Sequence, residues 1–354
     1  MAATRRAMAA GAVVLLTGSL LGSPTAGASV APEPTTVAKK LVSPLSMVVA
    51  GDGTAYVAQN FAGLLTAVSP GAKPEVVYAA KKGTELGALS EAGGTIRFAT
   101  TKGAKTALWT MRPGSKPKKV ADLSAFEADR NPDADVAYGF EGGLDAACAA
   151  QMPPEVPASY TGIVESHPYG STVHKGVTYV ADAAGNTIVS VKPNGKVKTL
   201  AVLPPVPFVV TAEAAAASGL PACTVGRTYN FEPVPTDVEV GKGGWLWVTL
   251  LPGGPEDGST GAQGRLVKVK VKTGKVREVA SGFAGATGLA VADNGDVYVA
   301  QLFGGQVSRI KAGSTKAKPY AEAMMPAAVE WADGDLLVSA QVLSEKPKGV
   351  VLRY

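Results

Sequence analysis

The sequence predicts an all-β fold, a six-bladed β-propeller closed by pairing of its N-terminal strand with the last blade. Three observations predict it. A turn signal before a short β-rich strand recurs six times, the repeating unit holds four strands, and the two ends of the chain complement each other. The composition agrees. With 42 Gly and 25 Pro in 354 residues there are too many helix breakers for a helical protein, and 46% apolar residues with a net charge of only +5 argue against disorder.

In chain order the signals are Gly51-Asp52-Gly53 before TAYVAQ, Gly93-Gly94 before TIRFAT and Lys175-Gly176 before VTYVAD. Gly243-Gly244 before WLWVTL, Asn294-Gly295 before DVYVAQ and Asp333-Gly334 before DLLVSA complete the series. Around Asn294 the order TGLAVA, DVYVAQ, QVSRIK, KPYAEA gives four short strands joined by tight turns. One such sheet cannot cover its own apolar faces, whereas a ring of them buries each against its neighbours.

Aligned at Tyr56, Arg97, Tyr179, Trp247, Tyr298 and Leu337, the units are spaced by 41, 82, 68, 51 and 39 residues. The 82-residue step has room for a seventh blade, but residues 129–166 lack period-2 alternation. Six blades with insertions at about 129–166 and 204–234 is therefore the reading. The last unit stops one strand short at Tyr354, and TTVAKKL at residues 35–41 has the character of the missing strand. Supplying it would close the ring and remove two open sheet edges.

Residues 1–28 read as a signal peptide: Arg5 and Arg6, an apolar run from Ala7 to Leu21, then Ala26 and Ala28 in an A-x-A arrangement. Cleavage near Ala28 removes two Arg and no acid, which lowers the net charge from +5 to +3. A flexible stretch, 29–34, then leads into a single domain, 35–354. The expected product is secreted, monomeric and without a membrane span. Its small charge surplus does not point to nucleic acid. The basic run Lys268, Lys270, Lys272, Lys275 alternates with Val267, Val269 and Val271, as on a strand with one wet face.

Cys148 and Cys223 are the only cysteines, one in each insertion. Both insertions connect a fourth strand to the next first strand, so both should emerge on one face, where an exported chain would join the two thiols. Trp245 and Trp247 flank Leu246, and the expectation is that one packs between blades while the other faces outward.

The chain resembles the ScyD/ScyE family of secreted β-propellers. His167-Pro168-Tyr169-Gly170, YVADAAGN at 179–186, VPT at 234–236 and Asn131-Pro132-Asp133 carry the likeness, together with the leader. The resemblance implies a six-bladed ring of the NHL or gluconolactonase-like kind and says little about activity. The Cys-bearing insertions, His167 and Asp237 depart from the family pattern.

In such a ring the residues just before each first strand converge on the channel. That makes Glu85, His167, Tyr169, Asp237, Thr287 and Glu330 the candidate ligand residues, with Ser46 as their counterpart in the first unit. No catalytic residue is assigned, because the sequence holds only His167 and His174 and no G-x-S-x-G, Walker-type loop or H-E-x-x-H. The expected function is non-catalytic binding of an extracellular ligand or cell-envelope component through the channel face and the insertions, with no cofactor. The alternative is a Ca²⁺-dependent lactonase or related hydrolase, in which Glu85, Asp237 and Glu330 would hold the ion.

Overall fold

The computed structural model describes residues 33–344 and 346–354, so the expected leader lies outside the described residues. Among them, 28 strands form seven four-stranded antiparallel sheets, one sheet more than the sequence predicts. Five sheets run in simple chain order, first strand to fourth: sheet I (44–79), sheet II (85–122), sheet III (168–202), sheet IV (235–283) and sheet V (286–322). Sheet VI has the order Val329–Ala332, Asp335–Ala340, Gly349–Arg353, Thr35–Leu41. The N-terminal strand lies antiparallel to the C-terminal one, with Thr35 opposite Arg353 and Leu41 opposite Gly349.

Second strands are the most buried. Ala55–Gln59 and Val297–Gln301 are buried at every position, because a neighbouring sheet covers each of their faces. Fourth strands are more open: Glu75–Ala79 has no buried residue and Val197–Val202 only Ala201.

Apolar side chains join each sheet to the next. Tyr56 and Leu65 of sheet I meet Leu86, Ile96 and Phe98 of sheet II, and Leu108 of sheet II meets Val180 and Val189 of sheet III. Ile188 of sheet III packs with Leu246 and Val248 of sheet IV, and Leu266 and Phe283 of sheet IV with Leu289 and Val299 of sheet V. Tyr298 and Val307 of sheet V pack with Val329 and Val338 of sheet VI. Ala38, Leu41, Leu337 and Val351 of sheet VI meet Met47, Val57 and Val68 of sheet I. First strands touch in the same succession, I to VI and VI back to I.

The first strands of sheets I to V each carry a register shift near their start. Such bulges bend the strand and turn backbone groups toward neighbours. In sheet II the bulge includes Ala88 at φ 52°. Its carbonyl accepts from Ser171 Oγ of sheet III (2.7 Å), and the next N–H, of Leu89, donates to Ser46 Oγ of sheet I (3.0 Å). Sheets III and IV approach so closely at Gly170 that a Cβ there would lie 2.6 Å from the Cα of Asp237, which only glycine permits.

The seventh sheet is built from the insertions. Its order is Ser159–Thr161, Ala137–Phe140, Thr228–Phe231, Val206–Val209, with Gly139 opposite Asn230 and Phe140 opposite Tyr229 across the junction. The absence of alternation in 129–166 did not exclude a sheet there, since strands of three or four residues are too short to display a period. Cys148 and Cys223 form a disulfide between the same two segments. In the same insertions Phe140, Val210, Ala215 and Tyr229 make a small apolar core, in which the Phe140 and Tyr229 rings meet edge-on at 5.0 Å.

The tryptophans meet expectation in part, since Trp247 packs between two sheets but Trp245 lies beside it on the same face. Residues two apart on a strand share a face, so Trp245 and Trp247 lie on one side, with the Lys268 ammonium 5.0 Å and 5.8 Å from their rings. Trp247 also packs against the core between sheets IV and V. Among the described residues no helix is long and apolar enough to cross a membrane.

Candidate functional site

The starts of the first strands bring the candidate residues into two groups. The first spans sheets II and III. Glu85 opens the first strand of sheet II, and His167 precedes that of sheet III, held there because its backbone N–H donates to Asp182 Oδ1 (2.6 Å). His167 Nε2 lies 2.9 Å from Glu85 Oε2, and its ring stacks on Tyr169 at 5.1 Å between centroids. Burial works against a charged imidazole, but the hydrogen bond and charge of Glu85, with Asp182 and Glu165 beyond it, outweigh burial and raise the pKa of His167. The Tyr169 hydroxyl is pushed up to about 12, mainly by burial and then by Glu85 and Glu256.

The second group spans sheets IV and VI: Asp237, Glu239 and Glu330. Glu239 escaped the sequence reading because it sits in the interior of its strand, two residues beyond Asp237; the legible signal was its parity with Asp237, which puts both on one face. All three carboxyls titrate above the usual range. Burial is the main cause for each, with the charge of Asp237 added at Glu239, and those of Glu239 and Asp237 at Glu330. Among the described residues no ion pair involves any of the three.

Not every candidate is free to bind. Asp237 Oδ1 accepts from the N–H of Val238 (2.8 Å) and Oδ2 from that of Leu289 in sheet V (2.9 Å), so this carboxylate ties two sheets together. Thr287 Oγ donates toward the carbonyls of Pro326 and Ala327 (3.3 Å each), at the edge of sheet VI. Ser46 accepts from Leu89, as above. Glu239 Oε2 accepts a long bond from Thr172 Oγ1 (3.4 Å) and is near the Val240 N–H, and no hydrogen bond holds the Glu330 carboxyl among the described residues. The Ca²⁺ set of the alternative reading therefore does not fit: Glu85 is engaged by His167 and Asp237 by two amides, which leaves Glu330. Among the described residues no three His, Cys, Asp or Glu are arranged to hold a metal ion.

A cavity of about 300 Å³ between Gly51, Tyr56, Glu91 and Pro113 lies at the far end of the first strands and contains none of these residues.

No protein-family model and no curated protein sequence matches the chain. Solved structures do. A putative oxidoreductase (glucose dehydrogenase) from Thermus thermophilus superposes with a TM-score of 0.56 at 14% identity, over 91% of this chain and 99% of that one. The PQQ-bound aldose sugar dehydrogenase of Streptomyces coelicolor gives 0.55 at 12%, over 90% and 96%. A streptogramin B lyase gives 0.52 at 13%, over 91% and 96%. At such identities the likeness establishes a fold and no activity: the chain is an all-β protein of the β-propeller type.

Proposed function

We propose that the chain is an exported, monomeric, ScyD/ScyE-like propeller in which sheets I to VI form a closed six-bladed ring, the insertion sheet caps sheets III and IV, and the channel binds an organic cation without turning it over. The crowding of Asp237, Glu239 and Glu330 carries this reading. Burial raises the pKa of three carboxyls from two first strands, the charge of Asp237 adds at Glu239 and those of both add at Glu330, and two of the three spend few or no hydrogen bonds on the scaffold. A ligand bearing an amine or guanidinium would relieve that repulsion and supply the missing donors. The ring is supported by the unbroken succession of inter-sheet cores, and the cap by the contact of Gly254 with Phe231 and of Asn186 Nδ2 with Glu232 (3.2 Å). Asp237, Thr287 and Ser46 hold blades together, which favours a rigid receptor over a reacting centre.

Cation affinity follows ionisation. The three carboxyls have raised pKa values, so they are more fully charged at pH 8.5 than at pH 5.5. Agmatine should raise the melting temperature of the protein more at the higher pH, and Glu239→Gln or Glu330→Gln should abolish the rise. A shift that survives both substitutions, or none at either pH, overturns the proposal. Hydrolysis of glucono-δ-lactone by the purified protein would also overturn it.

A further inference from the structure

Outside the channel, helix Leu123–Arg130 and the residues after it present three buried oxygens that accept no hydrogen bond: Glu127 Oε1, Asn131 Oδ1 and Asp133 Oδ1. Glu127 is 2% exposed and Asp133 0%. Around Asn131 and Asp133 the neighbouring groups satisfy the other side-chain polar atom and stop short of these oxygens. Asp133 Oδ2 accepts from Tyr138 Oη (3.0 Å) and Asn186 Nδ2 (2.9 Å), and Asn131 Nδ2 donates to the Gly162 carbonyl (3.2 Å). Asp182, the nearest further acid, has its oxygens taken by Ser166 Oγ, His167 N–H and Gly185 N–H.

Two loops close over the carboxylates. A Cβ on Gly162 would lie 2.1 Å from Asp133 Oδ1, and one on Gly185 would lie 3.3 Å from Glu127 Oε2 and 3.5 Å from the Asp182 carboxyl carbon. Asn131 and Asp133 thus meet at Gly162, while burial and the charges of Asp182 and Asp133 raise the pKa of Glu127 to about 8. Glu127 also sits in the C-terminal half of its helix, where the helix dipole disfavours an anion. No Lys or Arg forms an ion pair with Glu127 or Asp133 among the described residues.

A proton on Glu127 would settle one of these oxygens and leave two. One cation held among them would settle all three. We propose that Glu127, Asn131 and Asp133 form a binding site for a hard divalent cation, Ca²⁺, which fastens the first insertion to the loops at Gly162 and Gly185. Two carboxylates balance its charge. An all-oxygen set that includes an amide suits Ca²⁺, which tolerates irregular coordination, better than Mg²⁺, which demands a near-ideal octahedron. The set has two carboxylates rather than three acids, so it is consistent with the absence of a three-acid cluster.

The test uses the full exported chain after dialysis against EGTA. Millimolar CaCl₂ should raise its melting temperature by at least about 4 °C, and MgCl₂ should do less. Terbium should emit on tyrosine excitation, since Tyr138 touches Asp133, and Ca²⁺ should quench that emission. Asp133→Asn and Glu127→Gln should remove both effects, whereas Glu330→Gln in the channel should keep them. If Ca²⁺ leaves the melting temperature and the terbium signal of the parent unchanged, the inference is overturned. It fails equally if both signals persist in Asp133→Asn and vanish in Glu330→Gln.

Discussion

At the scale of the residue, Glu85, His167 and Tyr169 act as one unit, an ion pair at 2.9 Å beneath a stacked ring. Removing the carboxylate leaves burial to dominate, so in Glu85→Gln the His167 imidazole should titrate at lower pH than in the parent. Only two histidines exist, which makes the NMR titration easy to assign. The same change has a stability signature. A histidine whose folded pKa is raised stabilises the fold fully below its unfolded value near 6.5, and that contribution fades as pH rises through the folded pKa. Glu85→Gln should therefore cost more melting temperature at pH 6 than at pH 9; an equal cost at both would contradict the pairing. The sequence made this group legible because strand starts converge in a propeller, and Glu85, His167 and Tyr169 all sit there. It hid Glu239, whose pKa is raised by burial and then by Asp237, and whose own charge acts on Glu330, a residue of another sheet.

At the scale of the element, the insertion sheet is held by two short strands from each insertion, a small apolar core and one disulfide. Closing a 75-residue loop constrains the unfolded chain by ~4 kcal/mol in the chain-entropy account. Paired Cys148→Ser and Cys223→Ser substitutions should leave the repeat sheets folded, with an unchanged far-ultraviolet spectrum, and open residues 137–161 and 206–231 to limited proteolysis. Cleavage elsewhere first would show that the staple serves the whole fold instead. The repeat strands were readable because nearly all have the five to eight residues that alternation needs and a Gly turn precedes each second strand. Ala137–Phe140 and Val206–Val209 were not, for they are four residues long and contain Gly139 or Pro207, and the pairing that joins the two insertions, Ala137–Phe140 with Thr228–Phe231, spans the intervening sheet III.

At the scale of the whole molecule, the strand Thr35–Leu41 joins the two ends. Its Ala38 and Leu41 are 4% and 3% exposed against Met47 and Val351, while Lys39 and Lys40 face solvent and two register shifts break the outer edge. Charges and bulges on an edge discourage pairing with other chains. Ala38→Asp would bury a carboxylate without a partner and should cost about 3 kcal/mol in urea unfolding, whereas Lys39→Asp on the wet face should cost less than about 0.5 kcal/mol. Equal costs would show that the strand does not carry the junction. That pairing also orders events in time. Of the described strands Thr35–Leu41 leaves the ribosome first and its neighbour Gly349–Arg353 last, so it must wait unpartnered while every strand between them is made.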